Sequence, residues 1–409
     1  MNRVVVTGYG GITALGSRWE DIETSLRAGR NAVRRMPEWD YFEMLHGRLA
    51  CPVEDFAPPP HWPRKQLRSM GRVAQLGLRA TEHALANASL DISACDPADI
   101  GVAYGSSSGS IAPIHAFGVM VDTGSMAGVT STSYIQMMSH TTAVNIGVHF
   151  GLQGRIIPTS SACTSGSQAI GYAYEAIRFG RVKAMLAGGA EELSGPGSAV
   201  FDTLYATSTR NDEPKLTPRP FDTARDGLVV GEGAATLVIE SLEHAQARGA
   251  TILAEIVGFG CTSDGNHVTQ PTAVTMARAM QLALSDAGLD PDAIDYISAH
   301  GTATDRGDIA EAKATSDIFG SDVPISAMKS YLGHTLGACG AVEAWWAIEM
   351  MRRNWFASTL NLDSPDPACA TLNHIAGAHG QALQAQRVMS NNFAFGGINT
   401  SLIFQQFVG

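Results

Sequence analysis

Ala293-Ile294-Asp295-Tyr296-Ile297-Ser298-Ala299-His300-Gly301 repeats, in outline, Asp99-Ile100-Gly101-Val102-Ala103-Tyr104-Gly105. Each stretch follows a helical pattern, Met280-Gln281-Leu282-Ala283-Leu284 in one case and Ala80-Thr81-Glu82-His83-Ala84-Leu85 in the other. Each reads as a turn, a strand and a small-residue loop, so strand ends and loops correspond. A second pair follows: Ile156-Ile157-Pro158 through Cys163 into Gln168-Ala169-Ile170-Gly171 matches Val323-Pro324-Ile325-Ser326 through Gly337 into Ala341-Val342-Glu343-Ala344. Strands alternating with helices predict an α/β protein, and two similar halves without a Pro/Ser-rich linker predict a duplicated unit, residues 1–250 and 251–409. The first half carries an extra stretch, Ser106 to Phe150, rich in Gly, Ser, Thr and Met; it reads equally as a tunnel lining, a subunit contact or a surface excursion.

The composition fits a compact soluble enzyme: 409 residues, 45% hydrophobic and 16% charged, enough for two cores. A net charge of -11 argues against bulk nucleic-acid binding, so an acidic partner has to find a local basic patch. Six cysteines without CxxC spacing suggest neither a zinc site nor a disulfide framework, and a reducing cytoplasm fits best. The chain opens on the strand-like Val4-Val5-Val6 and holds no apolar run of membrane-spanning length.

Chemistry concentrates in three loops. Cys163, in Thr159-Ser160-Ser161-Ala162-Cys163-Thr164-Ser165-Gly166-Ser167, precedes the helical pattern Ser167 to Phe179. A thiol at a helix N-terminus has its thiolate stabilised by free N–H groups, which predicts a nucleophile near neutral pH. His300 and His334 each follow a strand in a Gly-containing loop, and if the halves pack as repeats both emerge beside Cys163. Two neutral imidazoles donating to one thioester carbonyl would stabilise an enolate, which suits decarboxylation. Lys329 and Glu343 flank the second histidine and could orient and tune it. Near the end, Asn391-Asn392-Phe393-Ala394-Phe395-Gly396-Gly397-Ile398-Asn399 separates two strands; it reads as a hairpin turn or as a glycine loop aiming an N–H at an oxyanion.

Three motif matches are discounted. Thr7-Gly8-Tyr9-Gly10-Gly11-Ile12-Thr13 lacks the third glycine of a dinucleotide fingerprint and reads as a tight strand-helix turn. Gly105-Ser106-Ser107-Ser108-Gly109 fits GxSxG, but with Pro113 following, Ile111 to Val119 makes a poor helix. Ser326-Ala327-Met328-Lys329 spells SxxK yet ends a strand rather than opening a helix.

With these residues in view, the chain resembles the elongating β-ketoacyl-[acyl carrier protein] synthases of type II. The marks are Val5-Val6-Thr7-Gly8, Ala162-Cys163-Thr164-Ser165-Gly166, Arg219-Pro220-Phe221-Asp222, Arg225-Asp226-Gly227, Gly231-Glu232-Gly233-Ala234, His300-Gly301-Thr302, Lys329-Ser330, Gly333-His334 and Phe395-Gly396-Gly397. The resemblance implies a thiolase-like duplicated fold, five-layered αβαβα, as a homodimer. It implies that Cys163 takes an acyl chain from acyl carrier protein and that the enolate of decarboxylated malonyl-carrier protein attacks it. His300 and His334 would hold that enolate, the N–H groups of Cys163 and Phe395 would form the oxyanion hole, and Lys329 would support the histidines. Glu343, Asn391, Asp308 and Glu311 would belong to the supporting network; Thr269, Thr302 and Thr304 would contact the phosphopantetheine arm. Phe395 matches a gating aromatic; Ser108, Leu228, Phe393 and Ala394 fall at the acyl pocket and gate, where Ala394 replaces glycine. Arg64, Lys65, Arg68, Arg72 and Arg210 match the carrier-docking surface. No resident cofactor or metal is implied, since the phosphopantetheine arrives on the carrier, and Ser298 in place of a common asparagine weighs against a structural monovalent cation.

Rival readings are a noncatalytic chain-length partner, which typically lacks the cysteine; a degradative thiolase, which needs a second cysteine in the terminal glycine loop; and an initiating synthase, which pairs its cysteine with His and Asn. Cys163, His300 and His334 together favour malonyl-carrier extension, in fatty-acid, polyketide or aryl-polyene synthesis.

Overall fold

The computed structural model describes residues 1–377 and 379–409. Eleven strands form one mixed sheet: β1 (Val4–Thr13), β2 (Ile100–Gly105), β3 (Ile156–Thr159), β4 (Ala184–Glu191), β5 (Gly233–Ser241), β6 (Ala254–Ser263), β7 (Tyr296–Ser298), β8 (Pro324–Ser326), β9 (Asn373–His374), β10 (Arg387–Phe393) and β11 (Ile398–Gln405). Their spatial order is β9-β8-β7-β10-β11-β6-β1-β5-β4-β2-β3. Read outward from the β1–β6 seam, β1-β5-β4-β2-β3 and β6-β11-β10-β7-β8 are the same arrangement twice. The seam is short, Val4 to Val6 against Ala254 to Ile256, antiparallel.

Besides the short helices Trp19–Arg27 and Leu242–Ala247, the helices among the described residues are α1 (Arg64–Leu67), α2 (Arg72–Ala88), α3 (Ile111–Thr123), α4 (Ser133–Met137), α5 (Thr141–Phe150), α6 (Ser165–Arg178), α7 (Gly195–Asp202), α8 (Ala273–Ala287), α9 (Asp305–Phe319), α10 (Lys329–Leu332) and α11 (Cys339–Arg353). Helix α2 packs on β1 and β5, and its counterpart α8 on β6 and β11. Between the half-sheets α6 and α11 pack on each other, and each touches strands of both halves. The result is the five-layered αβαβα arrangement of the thiolase-like fold. The central layer explains the composition of α11: thirteen of its fifteen residues are buried, Trp345 and Trp346 included, as a helix covered on all sides requires.

Several local expectations change. Thr7 to Thr13 is no turn but the continuation of β1, paired with β5 as far as Gly233. Its glycines serve helix approach: a Cβ on Gly8 or Gly10 would come within 2.6 or 2.4 Å of backbone nitrogens of Ala88 and Ala84 in α2. Ile111 to Thr123 is a helix despite Pro113, because a proline in the first turn removes only an N–H that has no intrahelical acceptor. Lys329 does open a helix, the single turn α10. Among the described residues, no helix is long and apolar enough to cross a membrane.

Candidate active site

Cys163 sits in a 3₁₀ turn, Ala162–Thr164, directly ahead of α6. The chain leaves β3 through Ala162, whose φ of 50° lies in the left-handed region, a strained turn costing about 1–2 kcal/mol that lifts the thiol toward the cavity. Glu191, at the end of β4, accepts the N–H of Ser107 and of Gly337, each at 2.9 Å, and so ties the first half to the loop that follows His334. That carboxyl was not picked out from sequence; its signal is an acid ending an otherwise apolar strand, and burial pushes it up to about 7.

The fold brings Cys163, His300 and His334 together. His334 Nε2 lies 2.9 Å from Cys163 Sγ, and the two imidazole centroids are 5.2 Å apart at 88°. The N–H of Leu336 donates to His334 Nδ1 at 3.2 Å. Lys329 Nζ donates to His300 Nδ1 at 3.1 Å, with Asn392 Nδ2 at 3.4 Å. A ring nitrogen that accepts carries no proton, so both neutral rings hold theirs on Nε2. Burial, reinforced by the Lys329 charge, drives both histidines well below their ordinary value and keeps them neutral.

Lys329 therefore hydrogen-bonds to the first histidine rather than the second, because α10 carries it under the His300 loop. Its ammonium also meets Glu343 Oε1 at 2.5 Å. Burial opposes that charge, but Cys339 and Glu343 together hold the lysine above its ordinary value. The asparagine in this network is Asn392, whose Nδ2 donates to Glu343 Oε2 at 2.7 Å. Asn391 faces the other way and accepts from Ser401 Oγ at 2.6 Å, since neighbouring residues of a strand point to opposite faces. Asp308 and Glu311 shape the His300 loop. Glu311 accepts the N–H groups of His300 and Gly301 at 2.7 Å each, and Asp308 those of Phe221, Thr302 and Ala303.

Burial pushes the Cys163 thiol up to about 11, against the Lys329 charge and the N–H groups of Phe395 and of Cys163 itself. The expectation of a near-neutral thiol is corrected: in this buried loop desolvation outweighs the helix terminus. Cys339, read as an ordinary interior cysteine, places its Sγ 3.1 Å from the Cys163 carbonyl oxygen and is fully buried.

A cavity of about 590 Å³ opens from Cys163, and its walls include Leu228, Phe393, Ala394, Phe395, Thr269, Thr302 and Thr304. Phe395 stacks on Phe201 with centroids 5.4 Å apart. Gly396 and Gly397 take φ of 90° and 71°, and the left-handed conformations fall on them rather than on Ala394. Ser108 is exposed and lies outside this cavity, turned toward Glu191 at 3.5 Å. Of the basic cluster, Arg64, Lys65 and Arg68 are exposed around α1. Arg72 is held by Glu232 at 2.6 Å, and Arg210 by the Ala224 carbonyl at 2.9 Å and Asp226 at 3.5 Å, so neither is a free docking charge.

Cys163, His300 and His334 each offer a ligand atom within 4.8 Å of the others, as do His300, Cys339 and Glu343. The protons on Nε2 turn both rings into donors toward the cavity, whereas a metal ligand presents a lone pair there. At the position where the resemblance raises a monovalent cation, Ser298 Oγ and Ser390 Oγ are buried register partners without a hydrogen-bond partner. By themselves these two hydroxyls supply fewer oxygens than a hard cation takes.

Residues 1–245 match the family model "Beta-ketoacyl synthase, N-terminal domain" and residues 253–363 match "Beta-ketoacyl synthase, C-terminal domain". The chain is 37% identical to the 3-oxoacyl-[acyl-carrier-protein] synthase 2 of Vibrio cholerae, over 99% of both proteins. A crystal structure of a β-ketoacyl synthase from Burkholderia phymatum is 69% identical and superposes with a TM-score of 0.98 over the whole of both chains. The structure of the ishigamide ketosynthase/chain length factor is 31% identical, with a TM-score of 0.92 over the whole of both.

Proposed function

The chain belongs to the β-ketoacyl synthase family and is an acyltransferase of the 3-oxoacyl-[acyl-carrier-protein] synthase class; from that premise we propose how its residues run the reaction. The observation that carries the reading is the pair of neutral imidazoles whose Nδ1 atoms are occupied, leaving two N–H donors beside one thiol.

In the first half-reaction the Cys163 thiolate attacks the acyl thioester of acyl carrier protein. The carbonyl oxygen takes the charge and meets the N–H groups of Cys163 and Phe395. The carrier thiolate leaves and takes up the proton lost by the thiol. Conversion of Sγ to a thioester frees the His334 N–H. Malonyl-carrier protein then enters, its C–COO⁻ bond breaks, and the electron pair passes into an enolate whose oxygen accepts from His300 and His334. Carbon dioxide departs and the enolate carbon attacks the Cys163 thioester. The tetrahedral intermediate expels the Cys163 thiolate, which takes a proton from solvent, and the 3-oxoacyl chain leaves on the carrier. The presence of Cys163 sets this chain apart from a noncatalytic chain-length partner.

Arg64, Lys65 and Arg68, exposed and without an ion pair among the described residues, are the charges suited to an acidic carrier. A second copy is the partner best fitted to the edge strand β3 with α5 packed beside it, where Val148 is exposed, and to the segment of α3 and α4, where Val121, Met126 and Tyr134 are exposed.

The test is intact-mass measurement with a panel of acyl-carrier proteins, followed by malonyl-carrier protein. Acylation at Cys163 and then chain extension is expected; no acylation from any donor would overturn the proposal. His300→Ala and His334→Ala should slow decarboxylation more than acyl loading, and sedimentation of the free protein should give a dimer.

A further inference from the structure

Six charged side chains other than the catalytic set line the cavity at Cys163, and five are partnered. Arg225 meets Asp366 at 2.5 Å and Asp305 at 3.2 Å. Asp226 accepts from Ser208 Oγ at 2.9 Å and from the N–H of Thr209 at 3.0 Å; Asp264 accepts from Asn399 at 2.8 Å. Glu311 is buried on the N–H groups of the His300 loop. Arg306 is the sixth. It is exposed, lines the same cavity, and makes no ion pair or side-chain hydrogen bond among the described residues.

Its surroundings are open. It lies in the first turn of α9, two residues beyond Thr304, whose hydroxyl meets that of Thr302 at 2.8 Å. The next residue is Gly307, where a Cβ would crowd Thr304 Oγ1 at 2.5 Å and Thr302 Oγ1 at 3.0 Å. The wall therefore runs from buried His300 past two hydroxyls to a solvent-facing guanidinium.

We propose that Arg306 is a specificity residue that binds the phosphate of the incoming phosphopantetheine thioester at the cavity mouth. The inference rests on the condensing reaction proposed above and adds a residue to it. The malonyl carboxylate is a poor match for this cation, because that group is expelled beside the buried imidazoles. The phosphate stands at the carrier end of the arm, where a thioester seated at Cys163 leaves it near solvent, and a planar guanidinium fits phosphate geometry.

The test uses small thioesters of the same acyl chain, acyl-phosphopantetheine and acyl-pantetheine, with acylation of Cys163 followed by intact mass. The wild-type enzyme should prefer the phosphorylated compound. Arg306→Ala should remove about two- to fivefold of that preference, the upper part of the range for a solvent-screened contact, and Arg306→Lys should restore part of it. Equal loss with both compounds would overturn the proposal in favour of a structural role. Loss only with intact acyl carrier protein would overturn it in favour of a contact to the carrier's own acidic side chains, and no loss would dismiss Arg306. Failure of the wild-type enzyme to be acylated by any thioester would instead reject the condensing reaction itself.

Discussion

Replacing Lys329 with Met should separate the two half-reactions. The ammonium supplies the close donor to His300 Nδ1, at 3.1 Å; the remaining one, Asn392 Nδ2, is at 3.4 Å. Without Lys329 the His300 proton is no longer confined to Nε2, and part of the population turns a lone pair toward the enolate oxygen. Complete loss of one preorganised donor to a developing oxyanion is worth about 10²–10³ in rate, which bounds the fall in malonyl decarboxylation from above; with the lone-pair form dominant the fall should exceed about tenfold. Acyl loading depends on Lys329 only through its charge near Cys163 and should fall by less than about tenfold. The single variant also strands the buried Glu343 carboxylate, a destabilisation of about 3–5 kcal/mol, so Lys329→Met/Glu343→Gln is the control. The double variant should regain most of the lost stability and none of the decarboxylation. The assay pairs single-turnover intact mass on Cys163 with conversion of malonyl- to acetyl-carrier protein. Recovery of decarboxylation in the double variant would show that Lys329 only neutralises Glu343 and would refute the tautomer argument.

Three further outcomes follow from the same geometry. Asn392→Ala should slow decarboxylation by roughly tenfold, while Asn391→Ala should lower the melting temperature through a lost buried hydrogen bond, about 1–3 kcal/mol, and spare turnover. Alkylation of Cys163 by iodoacetamide should rise almost tenfold per pH unit from pH 7 to 9, because the thiol is pushed up to about 11; a plateau near pH 7 would contradict this. His300 and His334 are depressed in the folded protein, so the unfolded chain binds protons first and their stability contribution is lost as pH falls below about 6.5. Glu191 and Glu311, pushed up to about 7 and about 8, act in the opposite direction over that range. The histidine share is therefore read as the difference from His300→Gln/His334→Gln, which should gain about 2–3 kcal/mol relative to wild type between pH 7.5 and 5.5 in denaturant titrations.

Side-chain periodicity made the repeat legible, because paired strands and their loops recur whether or not the helices between them are drawn correctly. The thiol and both imidazoles could be placed at one end of the sheet for that reason: β3 delivers Cys163, β7 delivers His300, and β8 with α10 delivers Lys329 and His334. What stayed hidden depends on direction rather than position. Asn391 and Asn392 are adjacent in β10, and only the α11 face of that strand decides which one reaches Glu343. Arg72 belongs to a basic run in sequence, yet Glu232, 160 residues away, takes its guanidinium and leaves the docking charge to Arg64, Lys65 and Arg68. The tautomers were equally out of reach, because one is set by the backbone N–H of Leu336 and the other by a lysine folded under a neighbouring loop. This division has a chemical consequence. Cys163 comes from one half of the duplication, while both imidazoles and the donors that set their protons come from the other. Changes in the second half that disturb only those donors should therefore alter decarboxylation while leaving the nucleophile in place.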